Sequence, residues 1–198
     1  DLASGDDLFD IVVADKTLSE ERAKKYFRQV VRAVQYAHAR GVWHGKLRLE
    51  DFKVNGKTDS VSIVDFGMKL ILDGQSRPPR AGTFTRCLPV LNWSSPEYIN
   101  AETIGEFASD MWTCGALLFA MVAGMMPFDS QRPNDVHRLI QRGEYNFPER
   151  CQVSGELEDF ISKLLCVDVE TRLTAAEALQ HPWLAEEATE PLQAPGTA

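Results

Sequence analysis

The chain has 198 residues, 44% of them hydrophobic and 25% charged, a balance that fits one compact domain with a sizeable core, with or without a tail. Acids outnumber bases by 29 to 21, giving a formal net charge of -8; a nucleic-acid surface needs clustered Lys and Arg, so it is excluded, and basic peptides or basic partners suit the charge better. Cys87, Cys114, Cys151 and Cys166 form neither a C-x-x-C pair nor a Cys/His cluster with zinc spacing, and read as reduced thiols of a cytoplasmic protein.

The opening DLASGDDLFD carries acids where a secretory signal carries bases, so nothing in it directs export. Leu8, Phe9, Ile11 and Val12 predict a short amphipathic helix. Ser19 followed by Glu20 and Glu21 reads as an N-cap with first-turn acids. Ala23, Tyr26, Phe27, Val30, Val31, Val34 and Ala37 recur at helical spacing on one face, and Gly41 supplies the stop. Phe52 and Val54, then Val61, Ile63 and Val64, predict two short strands, with Asn55-Gly56 as the turn signal of a hairpin. Residues 68–95 carry Pro78, Pro79, Gly82 and Pro89 without a period and read as a long functional loop. Helices are predicted over Asp110–Met126, Asp135–Arg142, Leu157–Cys166 and Ala175–Leu179, and residues 185–198 read as a disordered tail. The longest apolar run, Cys114–Met126, spans about 13 residues, short of the roughly 20 of a membrane-crossing helix, and predicts a buried core helix. The fold class is therefore mainly α with a small β-hairpin region.

Val64-Asp65-Phe66-Gly67, at the end of a predicted strand, resembles the metal-binding D-F-G of protein kinases. The segment Trp43 to Phe52, W-H-G-K-L-R-L-E-D-F, resembles the kinase catalytic loop H-R-D-L-K-x-x-N, and Ser95-Pro96-Glu97 resembles A-P-E. Asp110 to Gly115 is similar to D-x-W-S-x-G, Met126-Pro127-Phe128 to P-P-F, Asp168 to Arg172 to D-P-x-x-R, and His181-Pro182-Trp183 to H-P-W. The opening S-G-D-D-L-F-D resembles the segment after the hinge in calmodulin-dependent and testis-specific kinases. In order and spacing, residues 1–184 thus resemble the large, C-terminal lobe of the Ser/Thr protein kinase superfamily. The resemblance places the small lobe, with its Gly-rich loop, outside this chain.

The resemblance implies roles residue by residue. Glu97 and Arg172 match two residues that pair across the lobe, Asp110 the one that accepts the catalytic loop's backbone N–H groups, and His44 and Phe66 apolar-spine positions; these are structural. Asp51 and Asp65 match the magnesium ligands, and Lys53 and Asp65 fall in the nucleotide cleft, so ATP and magnesium are the implied cofactors. Asp7 and Glu50 match acids that meet Arg residues of basic substrate peptides.

The departures concern catalysis. Lys46 stands where a kinase has the Asp that orients the substrate hydroxyl, and an ammonium has no acceptor capacity. Arg48 replaces the Lys that steadies the transferring phosphate, and its planar fork is not a point charge. Gly45 replaces the Arg that pairs with an activation-loop phosphate, leaving a phosphate on Thr83 or Thr85 without that cation. Asp51 replaces an Asn and keeps oxygen ligands. Lys53 stands where an apolar side chain lies under adenine, and Val90 where a Thr bridges to the loop. Three readings follow: an inactive pseudokinase acting as a binding or regulatory scaffold, an active kinase whose small lobe is supplied elsewhere, and a purely structural subunit. Each expects a protein partner on the surface facing the small lobe, with no nucleic acid and no membrane.

Overall fold

Ser19 begins the long helix as the sequence predicts: its hydroxyl oxygen accepts the Arg22 backbone N–H at 3.3 Å, and the helix runs Glu20–His38. The computed structural model describes residues 5–45, 47–64, 91–100 and 106–185. In chain order the elements are β1 (Asp6–Asp7), α1 (Leu8–Asp15), α2 (Glu20–His38), a 3-10 turn (Leu49–Asp51), β2 (Phe52–Asn55), β3 (Ser60–Ile63), α3 (Pro96–Ile99), α4 (Glu106–Ala123), α5 (Pro133–Arg142), α6 (Gly155–Leu164) and α7 (Ala175–Gln180).

All seven apolar residues expected on one face of α2, from Ala23 to Ala37, are buried. The helix packs on β3, α4 and α7, and each large aliphatic or aromatic side chain withdrawn from water there stabilises the fold by roughly 1.5–3 kcal/mol. Helix α4 is the centre of the molecule: every residue from Asp110 to Ala123 is buried. Gly115 is the reason α6 can lie against it, since a Cβ there would sit 2.9 Å from the Leu164 Cβ. The apolar run 114–126 is thus a core helix as expected, and among the described residues no helix is long and apolar enough to cross a membrane. The helix ends at Ala123 rather than at Met126. Gly124 adopts φ 67°, and any Cβ there would come within 2.2 Å of the Lys16 carbonyl oxygen, an approach only glycine permits.

The strands form a three-stranded antiparallel sheet in the order β1-β2-β3, one strand more than the expected hairpin. Phe52 pairs with Ile63 and Val54 with Val61, while Asp7 of β1 lies opposite Lys53. The hairpin is fastened to α2 by side chains. Lys25 Nζ donates to Asp59 Oδ2 at 2.6 Å, Gln29 Nε2 donates to the Asp59 carbonyl at 3.0 Å, and Gln29 Oε1 accepts the Val61 N–H at 2.9 Å.

A second fastening joins the start of α2 to residues far along the chain. The Glu20 carboxylate accepts the Ser154 hydroxyl at 2.5 Å, the Ser154 N–H at 3.0 Å and the Trp183 indole N–H at 2.7 Å, and Trp183 stacks on Phe160 with centroids 5.2 Å apart. Burial alone would raise the Glu20 pKa, but the hydrogen bonds from Ser154 and Trp183 hold it below the ordinary carboxylate value. A lowered folded-state pKa gives stability that is fully present above the unfolded-state value and is lost as pH falls through the folded one. Glu20→Gln should therefore lower the melting temperature at pH 7 and flatten its fall between pH 5 and pH 3, read by melts across that range. An unchanged acid slope would show that this carboxylate is not held in solution.

Candidate functional site

At the end of α2 the chain reverses through Gly41, at φ 71°, and residues 42–45 run on as a loop that meets Asp110 of α4. Asp110, 1% exposed, organises that loop. Its Oδ2 accepts the His44 N–H at 2.7 Å, its Oδ1 accepts the Gly45 N–H at 2.8 Å, and His38 Nε2 lies 3.0 Å from Oδ2. An ionised carboxylate only accepts, so His38 presents its hydrogen on Nε2. His38 and Trp43 both meet the Phe107 ring edge to face, with centroids 4.9 and 6.3 Å apart. Gly45 sits at φ 75°, a left-handed conformation that disfavours the Arg found there in the resembling family by roughly 1–2 kcal/mol.

The loop's second half is anchored by Leu47 and Leu49, buried at 0% and 3% exposure. Asp51 turns back onto its own loop: Oδ2 accepts the Arg48 N–H at 2.9 Å and lies 4.0 Å from His44 Nε2. Glu50, on the same turn, is exposed. The other acid matched to peptide docking, Asp7, is differently placed: its Oδ1 lies 2.5 Å from Lys53 Nζ, directly across the β1–β2 register. Lys53 and Asp7 side chains are 30% and 28% exposed, so the position matched to the adenine floor carries a half-buried ion pair.

Glu97, on α3, meets Arg172 from the segment before α7. Arg172 Nη1 donates to Oε1 at 2.6 Å and Nη2 to Oε2 at 3.0 Å, with the two side chains 4% and 0% exposed. The remaining guanidinium hydrogens go to the carbonyls of Cys166, Ala108 and Val167.

Lys46, Asp65 and Phe66 lie outside the described residues, as do Thr83, Thr85, Val90 and residues 186–198 of the tail. The structure therefore gathers His44, Gly45, Arg48 and Asp51 in one stretch of chain held by Asp110 of α4, puts Lys53 with Asp7 on the sheet, and sets Glu97 with Arg172 in the core. Among the described residues no group of three His, Cys, Asp or Glu side chains could hold a metal ion. Sequence reading missed His38 as a partner of Asp110 and the Asp7–Lys53 pair. The signal for His38 was its place in the last turn of α2, next to the loop; the ion pair had none, because β1 is two acidic residues long.

The sequence pattern of the protein kinase domain matches residues 1–184. The serine/threonine-protein kinase GIN4 of Saccharomyces cerevisiae is 34% identical over 181 residues, 90% of this chain and 15% of that protein. CBL-interacting protein kinase 29 of Oryza sativa is 31% identical over 189 residues, 96% of this chain and 40% of its own length. The smooth-muscle myosin light chain kinase of Gallus gallus is 32% identical over 188 residues, 93% of this chain and 10% of its own. The chain spans less than half the length of these relatives.

Proposed function

The chain belongs to the protein kinase domain family, and from that premise we propose that it is a catalytically inactive, cytoplasmic large lobe of the Ser/Thr type, related to the calmodulin-dependent and testis-specific group, that works as a binding or regulatory scaffold. The observation that carries this reading is Lys46 at the position of the catalytic acid. Among the described residues, two carboxylates that contact this stretch of chain are already engaged. Asp110 holds the backbone of residues 44 and 45, and Asp51 accepts the Arg48 N–H, while Glu50 is exposed on the following turn. Losing a positioned acid or base removes about 10²–10⁴ in rate.

The nucleotide is a poor fit for the residues present. Adenine is a flat apolar ring system, whereas the matching position holds an ammonium bound to Asp7 at 2.5 Å, and covering that pair with a base strips water from a strongly hydrated cation. Because Asp7 is spent on Lys53, docking of a basic peptide falls to Glu50 alone. A scaffold of this kind presents the surface that a small lobe covers in the family, and a protein partner is proposed there.

The test joins this chain to the small lobe of an active relative and titrates Mg-ATP by calorimetry into the parent, Lys53→Leu and Lys46→Asp forms. We expect no phosphate transfer to a basic Ser peptide by the parent, and tighter nucleotide binding, by about tenfold or more, in Lys53→Leu, the scale of a half-buried charge removed from an apolar contact. Transfer by the parent at a rate typical of kinases, about 1–100 per second, would sink the inactive reading.

A further inference from the structure

We propose that the exposed face of α2 is a docking surface for an extended acidic segment, and that the chain fills it with its own residues 186–190. Residues 22–40 carry Arg22, Lys24, Lys25, Arg28, Arg32 and Arg40 and no Asp or Glu, a basic stretch in a chain of formal net charge -8. Near its start two of these bases are engaged with neighbours, Arg22 with Asp15 and Lys25 with Asp59. Farther along, Arg32, Tyr36 and Arg40 are exposed at i, i+4 spacing. Tyr36 is 62% exposed, and the guanidinium carbon of Arg40 lies 3.4 Å from the centre of its ring. Arg40 Nη1 also donates to the Tyr36 carbonyl at 2.9 Å, which fixes this cation over the ring.

The residues that follow α7 already run along this helix in the required direction. Trp183 meets its first turns: the indole N–H donates to Glu20 at 2.7 Å, and Lys24 Nζ lies 5.6 Å from the centre of the ring. Leu184 and Ala185 come next, and each of their carbonyls accepts from the Arg28 guanidinium at 2.9 Å. Residues 20, 24 and 28 stand on successive turns, so a chain continuing on this course reaches Arg32 and then Tyr36 and Arg40. After Ala185 the sequence reads Glu186-Glu187-Ala188-Thr189-Glu190, and residues 186–198 contain no Lys or Arg.

Spacing selects the pairs. Arg32 and Arg40 are separated by two helical turns, about 12 Å along the axis. Glu186 and Glu190 span about 13 Å of extended chain and fall on one face of it, because side chains alternate, while Glu187 falls on the other. Glu186 is thereby assigned to Arg32 and Glu190 to Arg40, with Glu187 turned away from the helix. Exposed ion pairs are individually weak and are screened by salt. A tethered segment, however, acts at an effective concentration on the order of millimolar, so contacts too weak to hold a free peptide suffice in the intact chain. The docking requires neither nucleotide nor catalysis, and so goes beyond the scaffold reading and stands apart from it.

The experiment records heteronuclear NOEs and amide shifts on the ¹⁵N-labelled full chain, in about 0.1 M and about 1 M salt, between which the screening length falls from roughly 10 to roughly 3 Å. At the lower salt the amides of residues 186–190 should give NOEs close to those of α2, and at the higher salt those of a free chain. Glu186→Lys with Glu190→Lys should release the segment at the lower salt and shift the Tyr36 and Arg40 amides, whereas Glu187→Lys should do neither. Arg40→Glu should release Glu190, and adding Glu190→Arg should restore it. Should Arg40→Glu disturb the spectrum of α4, the variants at 186, 187 and 190 decide the matter alone. Free-chain NOEs in the parent at the lower salt, no response to the Glu186 and Glu190 reversals, or release by Glu187→Lys to the same extent would each overturn the proposal. So would ordering of 186–190 that appears only as the protein concentration is raised, which would give the face to a second copy. The nucleotide titration above reads the scaffold hypothesis independently, so the two can fail separately.

Discussion

Replacing Arg172 by Met should cost the fold about 3–5 kcal/mol, seen as a fall in the urea midpoint or as failure to accumulate a folded chain. The guanidinium is wholly buried, and its hydrogens reach Glu97 twice and the carbonyls of Cys166, Ala108 and Val167 once each. Its central carbon also lies 5.1 Å from the centre of the Trp112 ring. Met fills much of the volume but supplies no donor, so the Glu97 carboxylate, 4% exposed, is left buried and unpaired with three carbonyls. The expected cost is a large share of the roughly 5–15 kcal/mol that holds a domain together. The double change Glu97→Leu with Arg172→Met should recover part of the loss, because the penalty of one-sided removal lies mainly in the stranded charge rather than in the pair itself. A loss below about 1 kcal/mol in Arg172→Met would mean that the pair is wet in solution, as surface pairs are.

What the sequence made legible followed periodicity and punctuation. The apolar face of α2, its Ser19 cap and its Gly41 exit were all readable, because a helical stripe and its end signals are local. Helix α4 was displaced when read from the sequence. Its first turn, Glu106-Phe107-Ala108-Ser109, mixes polar and apolar residues and lies before the apolar run, and Met125 and Met126 continue that run past the residue where Gly124 turns the chain. An apolar run marks what is buried, not where the backbone stops being helical. Helix α3 lies just past the stretch read as loop, 68–95, where no helix was expected, although Ser95-Pro96 is a cap followed by a first-turn proline; with only four residues it has no period to detect. Strand β1 exists because β2 offers it an edge, so its acidic pair carried no strand signal.

The candidate site divides the same way. Its resemblance to a catalytic-type loop was readable from motif order, and Lys46 at the position which that resemblance gives to an acid is a reading the sequence alone carries. The state of the remaining side chains was not readable, since it depends on neighbours brought from far along the chain. Lys53 could be placed under a nucleotide by register, but its Asp7 partner appears only once β1 is paired. Arg48 could be read as a substituted phosphate contact, but the cleft around it needs walls from 93–98 and from α4. Function here rests on which donors and acceptors are already spent, and that is a property of packing.

Asp110→Asn is the change expected to loosen this loop without emptying its core. The carboxylate now accepts three donors, two at Oδ2 and one at Oδ1, and an amide of the same shape offers one oxygen and one NH₂. If the oxygen faces His44 and His38, the NH₂ meets the Gly45 N–H; if it is flipped, the NH₂ meets both of the others. Either way at least one bond to a charged acceptor is replaced by a contact between donors, a cost of about 2–3 kcal/mol. Because that cost falls on residues 44 and 45, amide exchange there should speed up by about 30- to 150-fold, at about 1.4 kcal/mol per tenfold, while amides in the middle of α2 change less. Exchange at His44 and Gly45 no faster than in the parent would mean that buried Leu47 and Leu49, rather than Asp110, hold the loop in place.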